Sequence, residues 1–500
     1  MAQNHAAAES KADSLRWLVL LTVIVGTFLG RLDGTIVNLA LPKIIDDFGI
    51  TVSTAGWIAT AYILANAVFV PIWGKLGDTV GRKKVYILGF ALFIVGSILS
   101  GLSWNFPSMI VFRVIQAIAG SADYPTAMAI LSVTFPAGRQ RAQALGIWSS
   151  SFAAAAVFGP LIGGPLIDNF NWRSIFLINL PIGLIGLFMA SVFVKESVSG
   201  QKTRIFDWWG ALTLGASLAS LVLVLDRGLD WGWLSGNSLA CYGSVLLFSA
   251  IFYFIERKHP EPIIDFKFFK IGVFTNTLIN NFIIFMGMMG AMFLIPVFAQ
   301  TFLGYSATET GYLFMPMAAA MMLASPIGGM LTGRVQPRYV IAVSTLISAL
   351  GMYLFSFLDP RSGPLDIIIP VVIMAFGMGL GMAQRTNVIA SAVPAHEIGV
   401  ASSILALARN IAGAFGISVF ATILNSSINS NVFEIAKYSV IQARDQLTYM
   451  QGVGLITLKA QIMGYDKVFI MSTFVLLLGV VNALFIKAGK DAAKTKVMVE

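Results

Sequence analysis

The sequence is poor in charge and in metal- or redox-active side chains. Of its 500 residues only 11% are Asp, Glu, Lys or Arg, against about 25% in ordinary soluble domains. One cysteine, Cys241, permits no disulfide within the chain. With three histidines beside it, no His/Cys metal site is expected. No phosphate-cradling glycine loop accompanies the apolar runs, which argues against ATP-driven pumping. No nucleophile, base and orienting partner stand together in the pattern, so neither an enzyme nor a bound cofactor is expected.

What is present is apolar surface. Hydrophobic residues make up 57% of the chain, and the mean hydropathy is +0.82. A soluble core of this size cannot hide that much apolar surface, so a bilayer must be the solvent. This excludes a soluble enzyme, a nucleic-acid-binding protein, a disordered chain and a secreted disulfide scaffold.

A helical span needs roughly 20 mostly apolar residues. Fourteen are predicted: 17–40, 54–73, 85–103, 109–131, 143–167, 174–194, 208–225, 238–255, 273–299, 311–332, 339–357, 367–391, 399–424 and 468–487. The runs are continuously apolar rather than alternating, which favours helices over a barrel. The first is too long for a cleaved signal segment and reads as a retained span. An even number of spans puts both termini on one side. With those termini inside, 21 of the 33 Lys and Arg fall in inner segments, 8 in outer loops, and Arg31, Arg113, Arg385 and Arg409 within spans. Positive charge concentrates on the cytoplasmic side. The net charge of +9 therefore reads as membrane topology, with both termini in the cytoplasm.

The segment Gly74 to Lys83 after the second span has a weaker copy, Gly329 to Arg338, 255 residues later. Pro136 before the fifth span and Pro394 before the thirteenth repeat at an offset of 258. Two landmarks at nearly one offset point to a parallel duplication. The organisation expected is a cytoplasmic N-tail (1–16), a six-helix half (17–200), an inserted helix pair with linkers (201–270), a second six-helix half (271–487) and a cytoplasmic C-tail (488–500). The inserted pair should pack outside the core. A long outer loop, 425–467, carries Val432, Ile435, Ala436 and Val440 at helical spacing and should be partly helical.

Several stretches carry chemistry or close packing. Gly74, Asp78, Gly81 and Arg82 form a tight basic turn between two spans. Arg113, Gln116 and Gly120 share one face of the fourth span. Gly159, Pro160, Gly163 and Gly164 sit where the fifth span must bend and touch a neighbour. Leu32 to Pro42 places Asp33 within the membrane. Asp207-Trp-Trp-Gly opens the seventh span, and Arg409, Gly413 and Gly416 recur in the thirteenth. Together these resemble the major facilitator superfamily, and within it the fourteen-helix drug:proton antiporters. Ala117, where that family usually has glycine, departs from the pattern, as do Asp123 and Arg385.

The resemblance implies an all-helical fold with a central cavity lined by spans 1, 4, 9 and 12. Those four carry the polar residues: Arg31, Asp33 and Asn38; Arg113, Gln116 and Asp123; Asn276, Asn280 and Asn281; Gln384, Arg385 and Asn387. A charge inside a bilayer costs several kcal/mol unless paired or wetted. Asp33, Arg113 and Asp123 are therefore candidate proton-coupling residues. Arg31, Asn38, Gln116, Asn276, Asn280, Gln384 and Arg385 are candidates for the cavity. Counting 1.5 Å per residue places Asp33 and Arg113 roughly 10 and 6 Å below the outer surface, and Asp123 and Arg385 roughly 21 and 27 Å deep. Pairs Asp33–Arg113 and Asp123–Arg385 are expected. A carboxyl in a dry site keeps its proton, and an approaching guanidinium drives it off. An arginine that moves between two states thus couples protons to transport. Met- and Phe-rich walls on spans 9 and 10 suit lipophilic solutes. The two acids favour cationic ones; the arginines leave neutral and anionic ones open. The partners expected are a small lipophilic substrate, protons and membrane lipids. The protein is read as a monomer without nucleic acid, with a periplasmic adaptor left open. Export of one native solute remains the alternative.

Overall fold

The computed structural model describes residues 2–50, 52–197, 207–260, 262–305, 307–394, 397–438 and 446–486. The C-tail expected at 488–500 lies outside them, as does Val440. The described chain is helical throughout. The first stretch comprises α1 (Ala2–Phe48), α2 (Val52–Val80), α3 (Arg82–Gly101), α4 (Phe106–Gly120), α5 (Asp123–Thr134), α6 (Arg139–Asn169), the short α7 (Ser174–Leu177) and α8 (Asn179–Phe193). Next come α9 (Trp208–Trp231) and α10 (Gly236–Glu256). The last stretch holds α11 (Gly272–Phe302), α12 (Ala307–Met330), α13 (Pro337–Leu354), α14 (Pro364–Ser391), α15 (Ile398–Tyr438) and α16 (Gln446–Leu484).

Twelve helices among the described residues are long and apolar enough to cross a membrane. The predicted spans 109–131 and 143–167 are not among the twelve. The former is two helices, α4 and α5, parted at Ser121 and Ala122. Pro125 explains the break: it has no N–H to give the carbonyl of residue 121, and its ring crowds that turn. The latter is the 31-residue α6, whose apolar run is diluted by Gln143 and Ser149 to Ser151.

Helices α1–α8 form one bundle and α11–α16 a second. They face each other through α2, α5 and α6 on one side and α12, α14 and α15 on the other. They interlock at one end. A Cβ on Gly146 would lie 2.6 Å from the Ser325 carbonyl oxygen, and one on Gly329 2.5 Å from that of Ala142. Only glycine lets these backbones approach so closely. Arg141 donates to Ser391 Oγ at 2.6 Å, and Ser402 to the Pro125 carbonyl at 3.1 Å. Towards the other end Gly30, Gly34 and Gly164 border open space, and Arg31 is exposed although it lies mid-helix. The two bundles are therefore closed against each other at the end bearing the 74–84 turn.

Helices α9 and α10 pack side by side, and α9 lies against α2 and α15. Thr60 donates to Asp226 at 2.7 Å, Ser418 donates to the Leu225 carbonyl, and Trp233 donates to Thr422. The pair thus covers one seam between the bundles. Only Ser238, Phe252 and Glu256 of α10 are buried, so α10 presents most of its surface outward. The stretch 425–467 proves largely helical. Helix α15 is 41 residues long and α16 is 39. At 1.5 Å per residue each measures about 60 Å, twice the hydrocarbon thickness of a bilayer. The two pack together along this extension, where Asn431 donates to the Ala460 carbonyl.

Candidate functional site

The first bundle contains a buried ion pair built from α1 and α4. Arg113 Nη1 donates to Asp33 Oδ2 at 2.6 Å, and their side chains are 2% and 1% exposed. Gln116, one turn along α4, donates its Nε2 to Asp33 Oδ1 at 2.9 Å. Its own Oε1 accepts from Arg113 Nη1 at 2.7 Å. Asn179 on α8 completes the set: its Nδ2 donates to Asp33 Oδ1 at 3.1 Å and to Ser97 Oγ at 2.8 Å. The guanidinium stacks on Tyr62, 4.2 Å from the ring centre. Asp33 thus accepts three hydrogen bonds, one of them from its counter-ion.

Asp123 lies deeper in the same bundle. It is the first residue of α5, directly after the break imposed by Pro125. Its carboxylate accepts from Thr27 Oγ1 at 2.8 and 3.1 Å, and Trp148 Nε1 donates to Thr27 at 2.8 Å. The expected Asp123–Arg385 pair does not form. Arg385 instead donates from Nε to Asn280 Oδ1 and from Nη2 to Thr345 Oγ1, each at 2.9 Å. Helix depth alone does not fix the rotation that decides which neighbour a side chain meets.

Arg409 reaches across the two bundles. Its Nη1 donates to the Tyr124 hydroxyl of α5 at 2.6 Å, its Nε to Asn281 Oδ1 and its Nη2 to Thr386 Oγ1, both at 3.2 Å. Its guanidinium lies 5.2 Å from the Phe285 ring centre and 5.3 Å from that of Tyr124. Arg31 sits over Phe152 at 4.7 Å. Phe152 packs against the apolar cores of both bundles.

Three residues expected in the cavity hold helices together instead. Asn276 donates to the carbonyl of Phe485, just past the end of α16, and Asn280 to that of Gly479 within it. Gln384 donates to the Gly328 carbonyl on α12 and to Thr332 just past its end. In an apolar solvent such bonds tie helix to helix. The side chains of Asn38 and Pro160 lie outside the described residues. Gly159 and Gly163 pack against Thr35 and Ile36 of α1, while Gly164 borders open space.

The basic turn after α2 links the bundles. Asp78 accepts from Arg82 Nε and Nη2 at 3.1 and 2.9 Å and from the Val400 backbone N–H at 3.0 Å, at the start of α15. A carboxylate is favoured there by the free N–H groups and dipole of that helix end. A Cβ on Gly74 would lie 2.7 Å from that of Ser403. Gly81 has φ 124°, a conformation that favours glycine, and so turns the chain into α3. Glu196 accepts from the Lys83 and Lys84 N–H groups that begin α3.

Residue patterns missed Asn179, Tyr62, Thr27 and Tyr124. Asn179 carried a signal, since an asparagine two residues before Pro181 interrupts an otherwise apolar span. Among the described residues no group of His, Cys, Asp and Glu is arranged to hold a metal.

The chain matches the family model described as Major Facilitator Superfamily over residues 23–417. It is 35% identical over 417 residues to the multidrug transporter protein MdtP of Bacillus subtilis, covering 83% of this chain and 76% of that one. It is 32% identical to the riboflavin transporter RibZ of Clostridioides difficile, covering 83% and 90%. Among solved structures, the human organic anion transporter MFSD10 (TETRAN) superposes with a TM-score of 0.64 over 92% of this chain and 99% of that one. At 15% identity that likeness speaks for the fold alone. The two facing helical bundles, the glycine-packed seam between them and the family match converge: the chain belongs to the major facilitator superfamily and is a membrane-embedded transporter, not an enzyme.

Proposed function

We propose that the protein is a proton-coupled antiporter of the fourteen-helix drug-exporting branch, expelling lipophilic compounds across a bacterial inner membrane by alternating access. The interrupted α4–α5 segment and α6 supply the two crossings beyond the twelve apolar helices. Both termini then face the cytoplasm with most of the Lys and Arg. The relative named a multidrug transporter supports the drug-export reading. The observation that carries proton coupling is the Asp33–Arg113 pair, buried and held by Gln116 and Asn179. Withdrawal of Arg113 leaves Asp33 uncompensated in a dry site, where it takes a proton; return of Arg113 expels it. Tyr124 and Arg409 lie where the bundles meet, and Asp123, next to Tyr124 in the chain, connects that event to closure of the seam. The turn at Gly74, Asp78, Gly81 and Arg82 latches the closed state. The protein works as a monomer on a small substrate and protons, and a periplasmic adaptor is not required by this scheme.

Cation preference loses much of its support. Asp33 is engaged by Arg113, and Asp123 by Thr27, so neither carboxylate is directed at a solute. A dedicated exporter of one native solute is the second reading, favoured by the relative named a riboflavin transporter. A resistance profile spanning unrelated compounds supports the first reading, and a profile confined to one compound supports the second. The direct test of coupling is substrate-driven proton release from purified protein. Wild type should release protons and Asp33→Asn should not, although it still binds substrate. Release at the wild-type level from Asp33→Asn would move the coupling site elsewhere.

A further inference from the structure

We propose that Arg409 and Arg385, with the free amide of Asn281, form a receptor for the anionic head of a lipophilic organic anion. This names the charge of the solute in the export reading above and rests on that reading.

The argument starts from charge compensation. Arg385 and Arg409 are 2% and 7% exposed. Their hydrogen-bond partners are Asn280, Thr345, Asn281, Tyr124 and Thr386, all neutral. Among the described residues neither has a carboxylate partner. Neutral oxygens satisfy N–H groups but leave the charge itself standing, and a lone buried charge is costly. The first bundle avoids this by pairing Arg113 with Asp33. Asp123, held by Thr27 and within electrostatic reach of Arg31, offsets one cation at most. Two positive charges therefore remain in the second bundle.

A second, independent observation points to a ligand. Asn281 is fully buried, its Oδ1 accepts from Arg409, and its Nδ2 has no partner. An amide N–H beside a guanidinium is a donor suited to a carboxylate, sulfonate or phosphate oxygen.

The route to this site is also cationic. Measured along their helices from the closed end, Arg385 on α14 lies about 9 Å up, Arg409 on α15 about 17 Å and Arg31, counted from Leu15 where the membrane-spanning part of α1 begins, about 24 Å. Arg31 is exposed. Its guanidinium, Phe152, Tyr124 and Arg409 follow one another in ring contact, with Tyr124 and Phe152 centres 6.1 Å apart. An anion entering from the open end meets Arg31 first and Arg409 next, while its apolar body lies on Phe152 and Phe285.

Two dyes with one ring system test this: 1-anilinonaphthalene-8-sulfonate, an anion, and uncharged N-phenyl-1-naphthylamine. Both are titrated onto the purified full-length protein in chloride-free gluconate buffer, above a detergent blank. The anion should bind at least tenfold more tightly than the neutral dye. Arg409→Gln and Arg385→Gln should each bring that ratio close to one by weakening the anion alone. A wild-type ratio of one or less, or an unchanged ratio in both variants, overturns the proposal. If a Gln variant binds neither dye, the matching Lys variant decides. A preference for the anion above about threefold supports the proposal, and equal binding overturns it. Reconstituted vesicles separate this from the export reading. Proton-driven export of the neutral dye without the anion sinks the anion receptor and keeps the exporter. Export of neither dye, or export independent of the gradient, counts against the exporter, while the binding ratio still judges the receptor.

Discussion

In the first bundle Arg113 lies 2.6 Å from Asp33, whereas in the second Arg385 and Arg409 rest on asparagine, threonine and tyrosine. The turn at Gly74 to Lys83 recurs in weaker form at Gly329 to Arg338, yet the two bundles bury arginine on different terms. An ion pair with its own donors is complete: removing one member strands the other, at a cost of about 3–5 kcal/mol. An arginine on neutral acceptors is incomplete in charge and open to an outside anion. The complete site suits a proton switch internal to the protein. The incomplete one suits recognition of something that comes and goes.

Asp33→Asn breaks that contrast most severely, because it puts Arg113 in the condition of Arg385. It should destabilise the protein by about 3–5 kcal/mol and abolish substrate-driven proton release. Thermal unfolding and a pH-dye assay on the same preparation check both. Adding Arg113→Gln to Asp33→Asn should restore most of the lost stability, since no lone charge remains, while the protein stays uncoupled. If the double variant is as unstable as the single one, the penalty comes from packing and not from charge.

Asn179→Leu removes one of three donors to Asp33 and one donor to Ser97, whose hydroxyl still donates to the Phe176 carbonyl. A loss of about 1–3 kcal/mol is expected, with an altered pH profile of proton release. Loss of stability with an unaltered profile would make Asn179 a purely structural residue. Arg385→Gln sharpens the other side of the comparison: it discards an uncompensated charge, so the cost should stay below about 2 kcal/mol and below that of Asp33→Asn.

The smallest effect belongs to a surface pair at the far end of α1. Asp47 Oδ2 accepts from Arg173 Nη1 at 2.9 Å and from Trp172 Nε1 at 3.1 Å. The bond from Arg173, with that from Trp172, holds its carboxyl below the ordinary 3.8, against a small desolvation penalty. The stabilisation is therefore present above 3.8 and fades as pH falls through the lower folded value. Asp47→Asn should lower the unfolding temperature slightly at pH 7, by less than about 1 kcal/mol, and the difference should vanish in stronger acid. A difference that persists below pH 3 would show that the contact acts through shape.

Asp33, Arg113 and Gln116 could be picked out from residue type and spacing because a polar group within an apolar run is rare and costly. Their shared depth followed from the 1.5 Å rise. Asn179 escaped because attention fell on four helices, and nothing in a linear pattern says that α8 leans on α1. The Asp123–Arg385 expectation failed for a related reason: equal depth does not fix facing direction. Asn276, Asn280 and Gln384 look alike on paper as cavity residues, but helix rotation turned them to α16 and α12.

Composition and its apolar runs by themselves determined the solvent of this protein and the helical class, because these follow from summed transfer energies and need no partner. Local chemistry determined the break before Asp123, because Pro125 acts on its own turn. Only the tertiary structure decided that Asp33 is neutralised while Arg385 and Arg409 are not. Compensation of a buried charge depends on which side chain arrives from another helix, within about 3 Å, and that is set by the packing of both bundles together.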